Sequence, residues 1–145
     1  MTVKPPRILL IEAPYYADIA AEQAAGAMSA LDAAGAQVTR VSVPGALEIP
    51  AAIKFGLAGG WDGYVVLGCV IRGETSHYDI VCNECARGVQ NLATEHSLAI
   101  GFGVLTVEDE DQAWARARRT EMDKGGETAR ACLAMIDLRR TLAGH

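Results

Sequence analysis

Four short apolar runs, each followed by a segment with helical spacing, limit what this chain can fold into. The runs lie at residues 8–11, 38–43, 64–67 and 98–105. The helical segments span residues 17–34, 51–57, 78–95, 109–118 and 125–142. Parallel strands need a crossover connection, and a helix between consecutive strands supplies it. The pattern therefore predicts one domain over residues 1–145, with a three-layer αβα arrangement around a four-stranded parallel sheet.

The composition argues against several classes of partner. A net charge of −5 and a pI near 5.1 oppose binding to nucleic acid, because phosphate backbones attract basic surfaces. No apolar run approaches the roughly 20 residues that a membrane span requires. The N-terminal stretch leads into only a short apolar run, which is not the pattern of a signal peptide. We therefore expect a cytoplasmic protein that binds neither nucleic acid nor membranes.

Cys82 and Cys85 have the spacing that redox pairs and zinc sites also use. A redox pair usually opens a helix, whereas this pair lies at least one turn inside the predicted helix. A zinc site needs two further ligands at a recognisable spacing, and the sequence offers none. We therefore expect buried, reduced thiols and no metal.

The stretch from residue 68 to residue 79 joins the third strand to its helix and reads Gly-Cys-Val-Ile-Arg-Gly-Glu-Thr-Ser-His-Tyr-Asp. Ser76 and Asp79 resemble a capping box, which marks the start of a helix. Free N–H groups at such a start favour a bound phosphate or carboxylate, and His77 would lie beside it. The alternative is an ordinary turn with a surface histidine.

Three loops are predicted to converge at the carboxyl ends of the strands. They contain residues 15–16, 45–48 and 69–77. Ligands of open α/β sheets bind outside these ends, where the strand order reverses. The convergence favours a ligand site over a simple turn.

Several motifs resemble the 6,7-dimethyl-8-ribityllumazine synthase family, and the resemblance covers nearly the whole chain. Residues 44–50, Pro-Gly-Ala-Leu-Glu-Ile-Pro, are similar to the family's Pro-Gly-Ala-Phe-Glu-Ile-Pro. Residues 68–84 follow its longest motif, and residues 102–106, Phe-Gly-Val-Leu-Thr, follow another. Further matches in family order and spacing are Gln112, Ala113, Arg116, Lys124 and Gly125.

The resemblance implies a flavodoxin-like fold and a transferase of riboflavin biosynthesis. The implied reaction condenses 5-amino-6-ribitylaminouracil with 3,4-dihydroxy-2-butanone 4-phosphate to 6,7-dimethyl-8-ribityllumazine and releases phosphate. It needs no metal or redox cofactor, and the implied partners are small-molecule substrates and further copies of the chain. Two other functions stay open: a catalytically weak paralogue that binds flavin or lumazine, and a non-enzymatic flavodoxin-like module.

The resemblance also implies a role for each matching residue. Those contacting the pyrimidine and its ribityl chain would be Tyr15, Ala46, Leu47, Glu48, Val70 and Ile71. The phosphate-binding turn would consist of Gly73, Glu74 and Thr75, and His77 would transfer protons. Residues supplied by a neighbouring subunit would be Phe102, Arg116 and Lys124, with Arg116 at the phosphate.

A few residues leave room for other interpretations. Tyr16 stands where the family often has asparagine, and Leu47 where phenylalanine is common, so the pocket wall is altered. Arg72 is a second candidate for the phosphate, with a structural ion pair as the equal alternative. His96 and His145 are expected at the surface.

The resemblance further implies a ring of five subunits. A site split between neighbours is a head-to-tail contact, which closes into a ring when the rotation permits. Residues 118–122 contain two adjacent arginines and no glycine. We therefore expect the ring to stay isolated rather than join a larger shell.

Overall fold

The computed structural model describes residues 4–144. The first three residues of the N-terminal stretch and His145, which the sequence places at the surface, lie outside the described residues. The strands are β1 (Arg7–Glu12), β2 (Gln37–Ser42), β3 (Gly63–Ile71) and β4 (Ile100–Val107). The α-helices are α1 (Ala17–Ala33), α2 (Ile49–Gly56), α3 (His77–His96), α4 (Glu110–Ala117) and α5 (Lys124–Leu142).

The strands form one parallel sheet in the order β2-β1-β3-β4. This arrangement confirms the predicted α/β fold, and the order is that of the first four strands of flavodoxin-like folds. The order reverses between β1 and β3, so a crevice opens at the carboxyl ends of these two strands.

Side-chain alternation along β1 and β3 fills both faces of the sheet. Leu9 and Ile11 point to one face, where they join buried residues of α2 and α3. Ile8 and Leu10 point to the other face, where they join buried residues of α1 and α5. Because both faces are covered, β3 is apolar and buried along most of its length.

Strand β3 is longer than the sequence predicts. The apolar run was expected to end at Leu67, with residues 68–71 in a loop, but the strand continues to Ile71. Gly68 does not interrupt it, because residues 68–71 pair with residues 104–107 of β4. Val70 and Ile71 are therefore held in the sheet and do not lie in a flexible turn.

The predicted capping box at the start of α3 is wrong. Ser76 has near-helical backbone angles, and its side chain makes no capping hydrogen bond. The hydroxyl of Thr75 instead accepts a hydrogen bond from the backbone N–H of His77 at 3.3 Å. The carboxylate of Asp79 lies 3.5 Å from the Arg72 guanidinium, so it is not turned back to the helix start.

Strand β2 is an edge strand whose predicted alternation does not correspond to burial. Of its residues only Val38 is even partly buried. Arg40 reaches across to β1 and donates two hydrogen bonds, at 3.0 and 3.1 Å, to the mostly buried carboxylate of Glu12. This paired hydrogen bond raises the pKa of Arg40 and ties the edge strand to its neighbour.

Helix α5 packs unusually close to β4, and glycines on the strand permit this. A Cβ added at Gly101 would overlap the backbone carbonyl of Thr128 on α5. One added at Gly103 would lie 2.6 Å from the Thr128 hydroxyl oxygen. Because these two glycines have no side chain, the helix can lie close to the sheet.

We expect Gly101→Ala to lower the free energy of unfolding by about 1–3 kcal/mol, as overpacking usually does, because α5 must move away from β4. Gly68→Ala is the control, since a Cβ there meets Ala13 and Val104 at ordinary distances of 3.5 and 3.7 Å. Urea unfolding at one protein concentration measures both variants. If both variants lost the same free energy of unfolding, the contact of Gly101 with α5 would not set the distance between helix and sheet.

Candidate active site

A cleft of about 400 Å³ opens at the carboxyl ends of β1 and β3. The structure brings the three predicted loops together around it. Its lining residues are Ala13, Tyr15, Tyr16, Pro44, Gly45, Ala46, Leu47, Glu48, Cys69, Val70, Ile71, His77 and Val81. The cleft lies at the reversal of strand order, where α/β sheets of this type bind ligands.

Two tyrosines form the wall that follows β1. Tyr15 is 76% exposed, and its ring meets the edge of the Tyr16 ring at a centroid distance of 4.9 Å. Tyr16 is half-buried and packs against the cluster that contains Ile19 and Cys69. Burial raises the pKa of Tyr16, so its hydroxyl stays neutral near pH 7. Both tyrosines thus line the cleft, and Tyr16 also packs against the core.

The opposite wall comes from the loop after β2. The backbone N–H of Val43 donates to the carbonyl of Glu12, which fixes this loop to the end of β1. A short 3₁₀ turn then places Ala46, Leu47 and Glu48 at the cleft. Ala46 is buried, whereas Leu47 is 46% exposed. The wall therefore combines an apolar surface with one carboxylate.

Cys69, Val70 and Ile71 form the part of the cleft contributed by β3. The Cys69 side chain is nearly buried, and burial raises the pKa of its thiol to about 11. A thiol with this pKa is protonated near neutral pH and is a poor nucleophile. Cys69 thus contributes surface to the cleft and no reactive thiolate.

His77 is the first residue of α3, and it also lines the cleft. The positive end of the helix dipole lies at this point. Gly73, Glu74 and Thr75 form the exposed turn just before it, and they line neither this cleft nor the second one described below. The turn is therefore adjacent to the cleft and open to solvent.

Arg72 is engaged within this region by three neighbours. Its guanidinium lies 2.7 Å from Glu108 and 3.5 Å from Asp79, and it stacks over the Tyr78 ring at 4.3 Å. The hydrogen bond that Arg72 donates to Glu108 raises the pKa of Arg72. Arg72 had two interpretations, a phosphate ligand and a structural ion pair, and the structure contains the ion pair. Since the groups are exposed, the pair orients the turn more than it stabilises the fold.

The remaining predicted residues lie around a second cleft of about 300 Å³, between β4 and the helices α4 and α5. Phe102, Arg116 and Lys124 all line it, and none of them lines the first cleft. Arg116 donates to the carbonyl of Gln112 at 3.0 Å. Lys124 forms an ion pair with Glu127 at 3.1 Å. The predicted site residues thus fall into two separate groups within one chain.

Sequence reasoning missed some of these lining residues. Ala13 and Val81 line the first cleft, but nothing distinguishes them from core residues in the sequence. Glu127 lines the second cleft. Its position three residues after Lys124 on a helix predicts the ion pair between them, so the sequence could have indicated it.

The CxxC pair is not a disulfide. All four cysteines are free, Cys85 is buried and Cys82 is half-buried. Burial raises the pKa of both thiols, that of Cys85 to about 11. The prediction of reduced thiols is therefore confirmed, although Cys82 is less buried than expected.

Within residues 4–144, no group of three or more His, Cys, Asp or Glu side chains is arranged to hold a metal ion. Within the same residues, no helix combines the length and apolar character needed to cross a bilayer.

The fold is that of a flavodoxin-like α/β protein, and its cleft lies at the carboxyl ends of the strands, where sheets of this type bind small molecules. The family model for 6,7-dimethyl-8-ribityllumazine synthase matches residues 5–140. The chain belongs to this family of enzymes.

Curated relatives agree over nearly the full length. The chain is 58% identical to 6,7-dimethyl-8-ribityllumazine synthase 1 of Rhizobium meliloti (strain 1021), covering 99% of this chain and 97% of the relative. It is 52% identical to the 6,7-dimethyl-8-ribityllumazine synthase of Agrobacterium fabrum, covering 96% and 98%. It is 54% identical to the enzyme of that name from Methylobacterium radiotolerans, covering 95% and 85%.

We expect Cys69 to react slowly with iodoacetamide in the folded protein. With a pKa of about 11, roughly one thiol in a thousand is ionised at about pH 8, against about a quarter for an ordinary cysteine. The rate should therefore rise as the pH is raised toward the pKa. Peptide mass spectrometry follows the modification, and the urea-unfolded chain is the control. Equal rates at about pH 8 in the folded and unfolded chains would contradict the buried, protonated thiol.

Proposed function

We propose that the protein condenses 5-amino-6-ribitylaminouracil with 3,4-dihydroxy-2-butanone 4-phosphate to form 6,7-dimethyl-8-ribityllumazine and phosphate. The observation that carries the proposal is the first cleft, which combines an exposed aromatic ring, a carboxylate and a histidine at a helix start. Family membership supports the same reaction.

Each part of the first cleft suits one part of the pyrimidine substrate. Tyr15 offers a ring face on which a flat heterocycle can stack. The carboxylate of Glu48 can accept hydrogen bonds from ribityl hydroxyls, and Ala46 leaves room for that chain. Val70 and Ile71 supply an apolar floor, and Leu47 closes the wall.

The phosphorylated substrate would lie at the start of α3. Backbone N–H groups and the helix dipole at this point attract a phosphate, and the exposed turn of residues 73–75 leaves room for it. Imine formation, phosphate elimination and ring closure all move protons near neutral pH. Histidine suits such transfers, and His77 is the histidine at the cleft.

The second cleft supports a site shared between copies of the chain. Arg116 and Lys124 are the basic side chains that line it, and Phe102 adds an aromatic surface. In the proposed arrangement, this cleft of one subunit faces the first cleft of its neighbour, with Arg116 at the phosphate. Such a head-to-tail contact closes into a ring, for which we propose five subunits.

Whether such a ring stays isolated depends on residues 118–122. Arg118 already pairs with Glu121 at 3.1 Å and stacks on Trp114. Crowding of like charges is therefore a weaker argument against a larger shell than the sequence alone indicates. The absence of glycine in this segment is the remaining support for an isolated ring.

We also propose that the protein works in the cytoplasm. Its four cysteines are free, as is usual in a reducing compartment.

The first experiment combines the two substrates with the purified protein and follows lumazine formation by absorbance. His77→Ala should slow turnover by up to about 10²–10⁴-fold, the usual contribution of acid–base catalysis, while product affinity changes little. His96→Ala is the matched control, because His96 is an exposed histidine at the other end of the same helix. If His77→Ala turned over as fast as the wild type across about pH 6–8, His77 would not have the proposed role.

A second experiment tests the shared site. Arg116→Ala should raise the KM for the phosphorylated substrate more than the KM for the pyrimidine, because the guanidinium would contact only the phosphate. Arg130→Ala is the control, since this arginine is exposed on α5 and is not among the residues that line the second cleft.

Co-expressing His77→Ala and Arg116→Ala chains should restore activity to about a quarter of the sites, because a random mixture joins two intact halves at that frequency. Light scattering of the same preparation reports the number of subunits, and sequential affinity purification on two different tags confirms mixing. Mixed rings that are no more active than the parent variants would contradict a site shared between subunits.

A further inference from the structure

Gln23, in the middle of α1, is a polar side chain buried in an apolar layer. It is 1% exposed and lies on the helix face that packs against the sheet. Its amide nitrogen Nε2 donates two hydrogen bonds, each of 3.0 Å, to the backbone carbonyls of Gly68 and Gly103. One NH₂ group therefore joins a helix to two different strands.

The two carbonyls belong to neighbouring strands and are offset by one residue in the register. Gly68 of β3 pairs with Val104 of β4, and Gly103 pairs with Leu67. The side chain of Gln23 thus bridges the β3–β4 ladder from above and adds to the hydrogen bonds within it. Its two bonds fix the relative position of these strands at one level of the sheet.

Residues that line the two clefts lie next to these hydrogen bonds in the sheet. Directly after Gly68, residues 69–71 of β3 line the first cleft. Phe102 and the residues from Gly103 to Thr106 of β4 line the second cleft. A shift between the strands at this level would move the two groups relative to each other.

The backbone of Gln23 meets a third element. A Cβ added at Gly125 on α5 would overlap the carbonyl oxygen of Gln23, so the two helices touch backbone to backbone here. Gly125 follows Lys124, which lines the second cleft. Gln23 is therefore in contact with β3, β4 and the start of α5, all of which carry site residues.

The oxygen of the Gln23 amide, Oε1, helps to identify the role of this side chain. Both partners of Nε2 are hydrogen-bond acceptors, so the NH₂ group must face them and Oε1 must point away. Oε1 is buried and has no hydrogen-bond partner within residues 4–144. A buried oxygen without a partner destabilises a fold, and an apolar side chain of the same length would avoid that penalty. The two hydrogen bonds of Nε2 and the unpaired Oε1 oppose each other in stability, so the amide is better explained by its alignment of the strands.

We propose that Gln23 is a positioning residue, which holds β3, β4 and the start of α5 in the alignment that the two halves of the site require. This inference rests on the proposed function, because it concerns the same two clefts. It assigns Gln23 no contact with substrate.

Gln23→Met tests the proposal, because methionine has nearly the same length and no donor. Turnover should fall about 10- to 100-fold, the loss expected when reacting groups are displaced by up to about 1 Å. The KM for each substrate should change much less than kcat, since alignment matters most in the transition state. The melting temperature should change little, because the removal of the unpaired buried oxygen offsets the loss of two hydrogen bonds. Met28→Leu is the control: it conserves volume at a partly buried residue of the same helix.

Hydrogen exchange provides a readout that does not depend on activity. In Gln23→Met, amides of residues 66–71 and 102–107 should exchange faster than in the wild type. Amides of β2 should not change, because the side-chain hydrogen bonds of Gln23 go to β3 and β4. If the wild-type protein made no lumazine, the proposed function would fail, but this comparison would still test the alignment.

A structural role predicts the opposite result. A lower melting temperature with unchanged kcat and unchanged exchange in the β3–β4 ladder would overturn the proposal. A Gln23→Met chain that does not fold would overturn it too, because the amide would then be needed for the fold itself.

Discussion

The pairing of β3 on both of its edges is the constraint on which the rest of the structure depends. β1 and β4 bond to it from either side, and helices cover both faces. A strand enclosed in this way must be apolar and must run parallel to its neighbours in a βαβ chain. The carboxyl ends of all the strands then meet at one edge of the sheet. Tyr15, Glu48 and His77, far apart in sequence, come together there for that reason.

The position of β4 explains why the predicted site residues do not all line one cleft within a single chain. β4 forms the edge of the sheet, with the first cleft near the ends of β1 and β3 and the second cleft against α4 and α5. Arg116 and Lys124 are turned into the second cleft by their own helices and hold partners there. A neighbouring subunit in a ring would bring the two clefts together without any change in fold, which makes assembly part of the proposed chemistry.

Much of the fold could be predicted from local patterns, whereas contacts set by distant residues could not. Apolar runs and helical spacing located every strand and helix within a few residues. The end of β3 was misplaced because pairing with residues 104–107, which no local pattern reveals, overrides the effect of Gly68. The capping box failed because Ser76 has near-helical backbone angles, whereas a capping residue usually has extended ones. The residues lining the first cleft were mostly found through the strand ends and the family motifs. Gln23 was missed because a glutamine within an alanine-rich helix looks like a solvent-exposed residue until the sheet is placed beneath it.

The strand order also determines when the parts of this chain can acquire structure. β1 lies between β2 and β3, so it stays half-paired until the chain beyond residue 63 is available. β3 is paired on its second edge only after β4 has been made. The face of β4 that packs against α5 is covered only after α5 has been made. Contacts between such distant segments form slowly, and unpaired apolar strands are prone to aggregate meanwhile. The first two strands and α1 can associate early during synthesis. The residues that line the first cleft are all present once Val81 has been made, whereas the second cleft also needs Ala131 of α5.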